Sequence, residues 1–110
     1  MHTPSLTEAV RRELLVRSHV TESTHRFGGV EFRLGNRELG HLHGDEIADL
    51  PFPRRVRDAL VAAGRAAPHH ALPDSGWVTR RVRTPEDVVE LFRLSYERAV
   101  AARSQQEAAA

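Results

Sequence analysis

The sequence predicts an α+β fold: a small antiparallel sheet with a central hairpin, and two to three helices packed on one of its faces. A length of 110 residues, with 40% hydrophobic and 28% charged residues, fits one globular domain. One segment alternates apolar and polar residues around a Gly-Asn pair, which is typical of a hairpin. Apolar residues at helical spacing flank this segment, and one-sided alternation favours a sheet covered on one side.

The first helix is predicted over residues 6–17. Ser5 and Glu8 have the spacing of a capping box, in which each side chain satisfies a free backbone amide of the first turn. Three apolar side chains then share one helical face: Leu6, Val10 and Leu14. The pattern indicates an amphipathic helix with one buried side.

The hairpin is predicted over residues 30–43, with its turn at Gly35 and Asn36. Both residue types tolerate positive φ, which a two-residue turn requires. Pairing outward from this turn places four pairs of residues opposite each other: Leu34 with Arg37, Arg33 with Glu38, Phe32 with Leu39, and Val30 with His41.

This register divides the hairpin side chains between two faces. Arg33 and Glu38 are expected to form a cross-strand ion pair on the exposed face. His41 and His43 are expected on the buried face beside Phe32, pointing inward or into a cavity that this face lines.

The remainder of the chain reads as helices, one strand and loops. The predicted elements are a turn-rich connection at residues 44–53, a helix at 53–63, a loop at 68–76, a strand at 77–82 and a helix from residue 85. Gly64 is a natural stop for the second helix, and Thr84 with Pro85 is typical of a helix start. A single domain is predicted over residues 1–103, and residues 104–110 are expected to fray.

The composition excludes several classes of function. Without cysteine there is neither a disulfide nor a thiolate metal site. No apolar run has the length of a membrane span, and residues 1–8 lack the pattern of a signal peptide. We therefore expect a cytoplasmic protein with no membrane partner. A formal net charge of +1 does not by itself indicate nucleic-acid binding.

Histidines dominate the candidate site. Alternate residues on a strand lie roughly 7 Å apart on one side, so His41 and His43 can share a substrate group, an anion or a metal. Asp45 follows them directly, and His69 and His70 lie in a loop that can close over them. The alternative is that the rings are hydrogen-bonded structural residues. Because the spacing matches no standard zinc signature, neither a metal nor another cofactor is predicted.

The same loop holds three further candidates. Asp74 can orient a histidine, and Ser75 can act as a nucleophile with a histidine as its base. No Gly-x-Ser-x-Gly elbow is present, which favours a turn role for Ser75. Trp77 lines a pocket in one interpretation and anchors the core in the other.

All 16 basic residues are arginine. They include two clusters: Arg54, Arg55 and Arg57 at the start of the second helix, and Arg80, Arg81 and Arg83 at the end of the last strand. Such clusters can hold phosphate or nucleic acid, or can simply be solvated. Because no aromatic residues or recognition motif accompany them, no specific nucleic-acid partner is predicted.

Several segments resemble the "luciferase domain" family of small bacterial and fungal proteins, over about residues 15–102. They are Phe27-Gly28-Gly29, Glu38 to Asp45, Asp49 to Pro53, Gly64-Arg65-Ala66, His69-His70 and Pro73 to Val78. The family is a domain of unknown function, so the resemblance implies no established catalytic residues. Flavin-dependent luciferases are eight-stranded α/β barrels of roughly 250 residues, which this chain is too short to form.

A weaker resemblance links the chain to the MmcQ/YjbR-like domains, through the element order and Ser95-Tyr96-Glu97 in the last helix. Those domains are often described as DNA-binding, a function inferred from the fold. The leading prediction is a small-ligand or protein-interaction domain with a histidine-lined pocket. The alternatives are a histidine-based hydrolase or isomerase, with or without a metal, and non-specific nucleic-acid binding. The sequence leaves open whether the protein is an enzyme.

Overall fold

The computed structural model describes residues 3–25 and 28–109. Within them the chain forms a six-stranded sheet and three helices, which confirms the predicted α+β class. The elements are α1 (Leu6–Leu14), β1 (Val20–Thr24), β2 (Val30–Leu34), β3 (Arg37–His43), β4 (Ile47–Leu50), α2 (Arg54–Ala62), β5 (Ala67–Pro68), β6 (Val78–Arg81) and α3 (Pro85–Ala109). The strand order is β1-β2-β3-β4-β6-β5, and all neighbouring strands are antiparallel.

The helices begin close to where capping chemistry predicts. Ser5 Oγ accepts a hydrogen bond from the backbone amide of Glu8 at 3.1 Å, which fixes the start of α1. α1 ends at Leu14, three residues earlier than predicted, and Val16, two residues further on, is 82% exposed. α3 is helical through Ala109, while fraying of residues 104–110 stays a prediction. Of the described helices, none is both long and apolar enough to cross a membrane.

The β2–β3 hairpin follows the predicted register for two pairs and then departs from it. Leu34 lies opposite Arg37 and Arg33 opposite Glu38, as predicted. Beyond them the register shifts at a β-bulge, and Phe32 lies opposite Gly40. The bulge leaves Leu39 as the extra, unpaired residue on β3. Each side chain after it therefore points to the opposite face of the sheet from the one that the predicted register assigned.

The core lies between α1, α3 and one face of the sheet. Phe32 and Phe92 are fully buried and meet edge to face, with ring centroids 5.6 Å apart. At Gly40, a Cβ atom would lie 2.8 Å from Phe92 Cε1, so the lack of a side chain allows α3 to approach. The buried Ser95 hydroxyl donates to the Leu39 carbonyl at 2.7 Å, which ties α3 to the bulge.

β4 is a strand that the sequence pattern concealed. Ile47–Leu50 falls inside the predicted connection at 44–53, so that prediction was wrong for these four residues. The strand is short and contains an aspartate, a residue depleted in strands. Its alternation is nevertheless regular: Ala48 and Leu50 are buried in the core, while Asp49 points to the opposite face.

Candidate functional site

A cavity of about 910 Å³ lies on the sheet face that α1 and α3 do not cover. The strands β2, β3 and β4 form its floor, and the loop between β5 and β6 forms one wall. The lining residues are Thr24, His25, Glu31, Arg33, Glu38, His41, His43, Asp49, His69, His70, Ala71, Leu72 and Trp77.

Asp49 is the centre of this floor. It is fully buried, and its Oδ1 accepts a hydrogen bond from Thr79 Oγ1 at 2.6 Å. Its Oδ2 lies 2.9 Å from His43 Nε2 and 3.3 Å from His41 Nε2. Strand pairing sets His41, Asp49 and Thr79 side by side across three strands, because Asp49 lies opposite His41 on β3 and opposite Thr79 on β6.

The β5–β6 loop brings two more imidazoles to the same oxygen. His69 Nε2 and His70 Nε2 lie 3.7 and 3.6 Å from Asp49 Oδ2, beyond hydrogen-bond distance. The two rings stack with centroids 4.2 Å apart. Four imidazoles therefore converge on one carboxylate oxygen.

His41 lies between two carboxylates. Its Nδ1 is 2.7 Å from Glu38 Oε2, and its Nε2 faces Asp49. Regular alternation would put residues 38 and 41 on opposite faces, so the bulge between them makes this contact possible. His25 stacks on the other side of the His41 ring at 4.0 Å. Burial alone would lower the pKa of His41, but hydrogen bonds to Asp49 and Glu38 raise it to about 9.

The surrounding groups take complementary charge states. Burial would raise the pKa of Asp49, but hydrogen bonds from His41 and Thr79 hold it well below its usual range. Burial and the neighbouring His41 lower the pKa of His25. At neutral pH the floor thus holds an ionised Asp49 beside a protonated His41, with His25 neutral.

His69 is held in one tautomer. Its Nδ1 accepts hydrogen bonds from the backbone amides of Ala71 and Leu72, both at 3.1 Å. The proton of the neutral ring is therefore on Nε2, the atom that faces Asp49. Burial lowers the pKa of His69, in agreement with a neutral ring.

The segment before β6 is a turn that side-chain hydrogen bonds hold in place. Ser75 Oγ donates to the Leu72 carbonyl at 2.6 Å and accepts from the Trp77 amide at 3.1 Å. Arg57 donates to the Ser75 carbonyl at 2.6 Å. A Cβ atom at Gly76 would lie 1.6 Å from the Phe52 carbonyl oxygen, so only glycine fits there. This turn sets Trp77 at the pocket wall, 5.5 Å from the His41 ring.

The structure brings five of the eight predicted site residues together: His41, His43, His69, His70 and Trp77. Asp45, Asp74 and Ser75 do not line the pocket. Asp45 instead accepts hydrogen bonds from the Thr7 amide and hydroxyl, both at 3.4 Å. The Ser75 hydroxyl stabilises the turn before β6 through its hydrogen bond to the Leu72 carbonyl.

The predicted facing of the two strand histidines was wrong. The bulge turns His41 and His43 away from Phe32, onto the face that carries Glu31 and Arg33. The predicted ion pair was also wrong in its partner, because Arg33 Nε contacts Glu31 Oε2 at 2.5 Å while Glu38 contacts His41.

Sequence reasoning missed His25, Glu38 and Asp49 as pocket residues. Asp49 had one usable signal, since the segment Ile47–Leu50 alternates once it is read as a strand. Glu38 had none, because its position beside His41 depends on the bulge.

Two of the six clustered arginines have structural partners. Arg57 donates to the carbonyls of Pro73 and Ser75, and Arg80 donates to the Gly64 carbonyl at 3.0 Å. Arg80 also pairs with Asp87 at 2.9 Å. These contacts reduce the basic surface that the clusters offer to a phosphate backbone.

Residues 36–95 match the family model described as Luciferase domain. The matched range is shorter than the resemblance drawn over about residues 15–102, but it contains Asp49, all four histidines around it and Trp77. Phe27, part of one resembling segment, lies outside the described residues. No curated protein and no solved structure gives a significant match.

Proposed function

The chain belongs to the Luciferase domain family, and we propose that it binds a small molecule in the histidine-lined pocket. The observation that carries this proposal is the convergence of four imidazoles on Asp49 at the floor of an open cavity. A core selected for stability alone would hold apolar side chains there, since buried polar groups must each find a partner.

The shape and chemistry of the pocket support a small ligand. Its volume of about 910 Å³ falls in the range of about 300–1,000 Å³ common for such sites. Leu72 and Trp77 provide apolar wall, while the histidines and carboxylates provide a few convergent polar groups. His70 has a side chain 62% exposed, so a ligand can reach the cluster from solvent.

Trp77 supplies the test, because it is the sole tryptophan of the chain. We propose to screen cationic, neutral and anionic metabolites by Trp77 fluorescence and by the melting temperature. A binder should change both signals in the wild type and neither in His43→Gln. His19→Asn, which removes an exposed imidazole outside the pocket lining, is the matched control.

Two results contradict the proposal. One is a panel in which no compound changes either signal. The other is a binder that His43→Gln retains at full affinity, because such a compound binds elsewhere.

A second candidate function is proton-transfer catalysis, as a hydrolase or an isomerase. It is favoured by His41, which two carboxylates orient, and by the neutral His69 across the pocket. The hydrogen bonds of Ser75 argue against a serine nucleophile, so any hydrolysis would use water. Turnover of p-nitrophenyl acetate or phosphate that His69→Gln abolishes would support this function, and turnover that His69→Gln leaves unchanged would contradict it.

The remaining expectations stay predictions. A protein partner, a cytoplasmic location and the absence of a specific nucleic-acid partner rest on composition and pattern.

A further inference from the structure

We propose that His41, His43 and Asp49 form a site for one divalent transition-metal ion, with two imidazole nitrogens and one carboxylate oxygen as ligands. The inference deepens the proposed function and rests on it, because the metal would anchor the small molecule in the same pocket. One ligand atom of each residue lies within 4.8 Å of those of the other two, and His41 Nε2 and His43 Nε2 are the nitrogens that face Asp49 Oδ2.

The spacing of these atoms is close to that of a coordination shell. Zn²⁺ bonds to imidazole nitrogen and carboxylate oxygen are about 2.0–2.2 Å long. Neighbouring ligands at such bond lengths lie about 3.0 Å apart in octahedral geometry and about 3.4 Å apart in tetrahedral geometry. The Asp49 oxygen lies 2.9 Å from His43 Nε2 and 3.3 Å from His41 Nε2, so these contacts need little adjustment around an ion.

Hydrogen bonds behind the ligands already orient them. His41 Nδ1 donates to Glu38 Oε2 at 2.7 Å, which turns Nε2 toward the pocket. At neutral pH His41 holds a proton on Nε2 as well, and a metal ion would displace that proton, since metal binding releases protons from its ligands. Thr79 Oγ1 donates a hydrogen bond to Asp49 Oδ1 at 2.6 Å, so Asp49 Oδ2 is the oxygen that can bind the ion. A carboxylate behind a ligating histidine is the usual outer partner in metal sites, where it fixes the ring and raises its basicity.

His69 does not belong to the ligand set, although its Nε2 lies near Asp49. Because its Nδ1 accepts two backbone amides, Nε2 holds the proton and has no lone pair for a metal. His69 is instead a donor placed across from the site. Asp49, His69 and His70 also lie close enough to share an ion, but the protonated Nε2 of His69 leaves only two donors in that group, so His70 is not placed in the ligand set.

The charge and the donor types select the kind of ion. Three carboxylates line the pocket, Glu31, Glu38 and Asp49, against two cationic side chains, Arg33 and the protonated His41. A cation therefore fits the pocket better than an anion. Two imidazoles favour a first-row transition metal over Mg²⁺ or Ca²⁺, which prefer oxygen ligands. Three protein ligands leave coordination positions open toward the cavity, where the His69 N–H can donate to a metal-bound molecule.

The test is calorimetric titration of Zn²⁺ into the tag-free, chelator-treated full chain. We expect one Zn²⁺ per chain and, with Co²⁺ in its place, a visible d–d absorption band. His43→Gln should weaken Zn²⁺ binding by more than about 100-fold, because it removes a direct ligand and loss of an outer-shell partner alone already weakens binding about 10–100-fold. The side chain of His43 is 35% exposed, so this variant should fold, which its melting temperature checks.

His69→Gln and His70→Gln are matched controls, because each removes an imidazole from the same pocket without touching the ligand set. Both should bind Zn²⁺ within about twofold of the wild type if the tautomer of His69 is as the hydrogen bonds require. Absence of stoichiometric Zn²⁺ binding would overturn the proposal. Equal weakening in His69→Gln and folded His43→Gln would overturn it as well.

A second arm separates this inference from the proposed function. The Trp77 screen is run once with Zn²⁺ and once with EDTA. If Zn²⁺ binds and no compound does, the metal site stands and the proposed small-molecule function fails. If a compound binds in EDTA and Zn²⁺ does not bind, the metal site is overturned and the proposed function stands.

Discussion

Glu31 lies opposite His41 across the β2–β3 ladder, on the sheet face that α1 and α3 leave open. A regular hairpin from the Gly35-Asn36 turn would put Val30 opposite His41 and direct the imidazole into the core. The bulge at Leu39 prevents this, and it also brings Glu38 beside His41. One extra residue in β3 therefore moves the histidines from the core to the pocket.

Gly40→Ala should lower the free energy of unfolding by about 1–3 kcal/mol, the usual effect of overpacking a core. The new methyl group would lie 2.8 Å from Phe92 Cε1, and the φ of Gly40 is +154°. Urea denaturation measures the change. In a Phe92→Leu background the same substitution should be less damaging, because the clashing ring edge is gone. An unchanged effect in that background would show that the backbone, not Phe92, opposes the side chain.

Phe32→Ala should lower the free energy of unfolding by about 3–5 kcal/mol, because it deletes a large, fully buried side chain. Arg33→Ala should cost about 1 kcal/mol or less, since its ion pair with Glu31 is partly solvated. Chemical denaturation measures the free energy of unfolding of both variants and so compares two adjacent residues directly. A larger loss for Arg33→Ala would mean that Phe32 does not face the core.

The sequence predicted those parts of the fold that depend on local chemistry. The Ser5 cap, the hairpin turn at Gly35 and the strand boundaries at 30–34 and 37–43 follow from capping, positive φ and alternation. It did not predict the bulge, because Leu39 and Gly40 are shifted by packing against α3. Tertiary contacts of this kind override a register that the turn alone would set.

The candidate site was likewise predictable only where residue type and chain order indicate it. His41, His43, His69 and His70 were identified by residue type, and chain order placed His69 and His70 in a loop near β3. Asp49 was missed because a buried aspartate contradicts the usual composition of a strand, and its burial is tolerable only beside the surrounding imidazoles and the Thr79 hydroxyl.

Acid should remove a contact between α1 and α3. Glu13, in α1, contacts Arg93 on α3 and Arg17 in the turn that follows α1. Hydrogen bonds from Arg93 lower the pKa of Glu13 below its usual 4.5, although burial opposes the shift. A lowered folded-state pKa stabilises the protein above pH 4.5, and the gain is lost as the pH falls through the folded value. Glu13→Gln should therefore cost about 1 kcal/mol or less at pH 7.

That cost should vanish in strong acid, where the wild-type Glu13 is protonated as well. Denaturant titrations of wild type and Glu13→Gln at neutral and at acidic pH measure the difference. Glu107→Gln, at an exposed position of α3, should be neutral at both. A Glu13→Gln penalty that persists unchanged in acid would show that the side chain acts by packing rather than by charge.

DNA binding should be weak and non-specific. Arg57 and Arg80 are committed to backbone carbonyls and carboxylates, so only part of the two arginine clusters is available. Fluorescence anisotropy with a labelled duplex should give an affinity of about 1–100 μM or weaker at physiological salt, falling steeply as salt rises. Sequence-selective binding that survives physiological salt would contradict this prediction.

The two strand histidines should differ in their effect on stability. The structure gives them unequal roles. His41 is nearly buried between Glu38 and Asp49, whereas the His43 side chain is 35% exposed and contacts Asp49 alone among the described carboxylates. Removing His41 leaves two carboxylates without their shared partner.

His41→Gln should therefore lower the free energy of unfolding by about 2–3 kcal/mol, because hydrogen bonds to charged groups contribute about 1.5–3 kcal/mol each and an amide restores only part of them. His43→Gln should cost about 1 kcal/mol or less, since the glutamine amide can still donate toward Asp49 at a partly solvated position. Urea denaturation in EDTA measures both without any contribution from bound metal. If His43→Gln proved as damaging as His41→Gln, His43 would be part of the structural network, and its loss could no longer serve to test ligand binding alone.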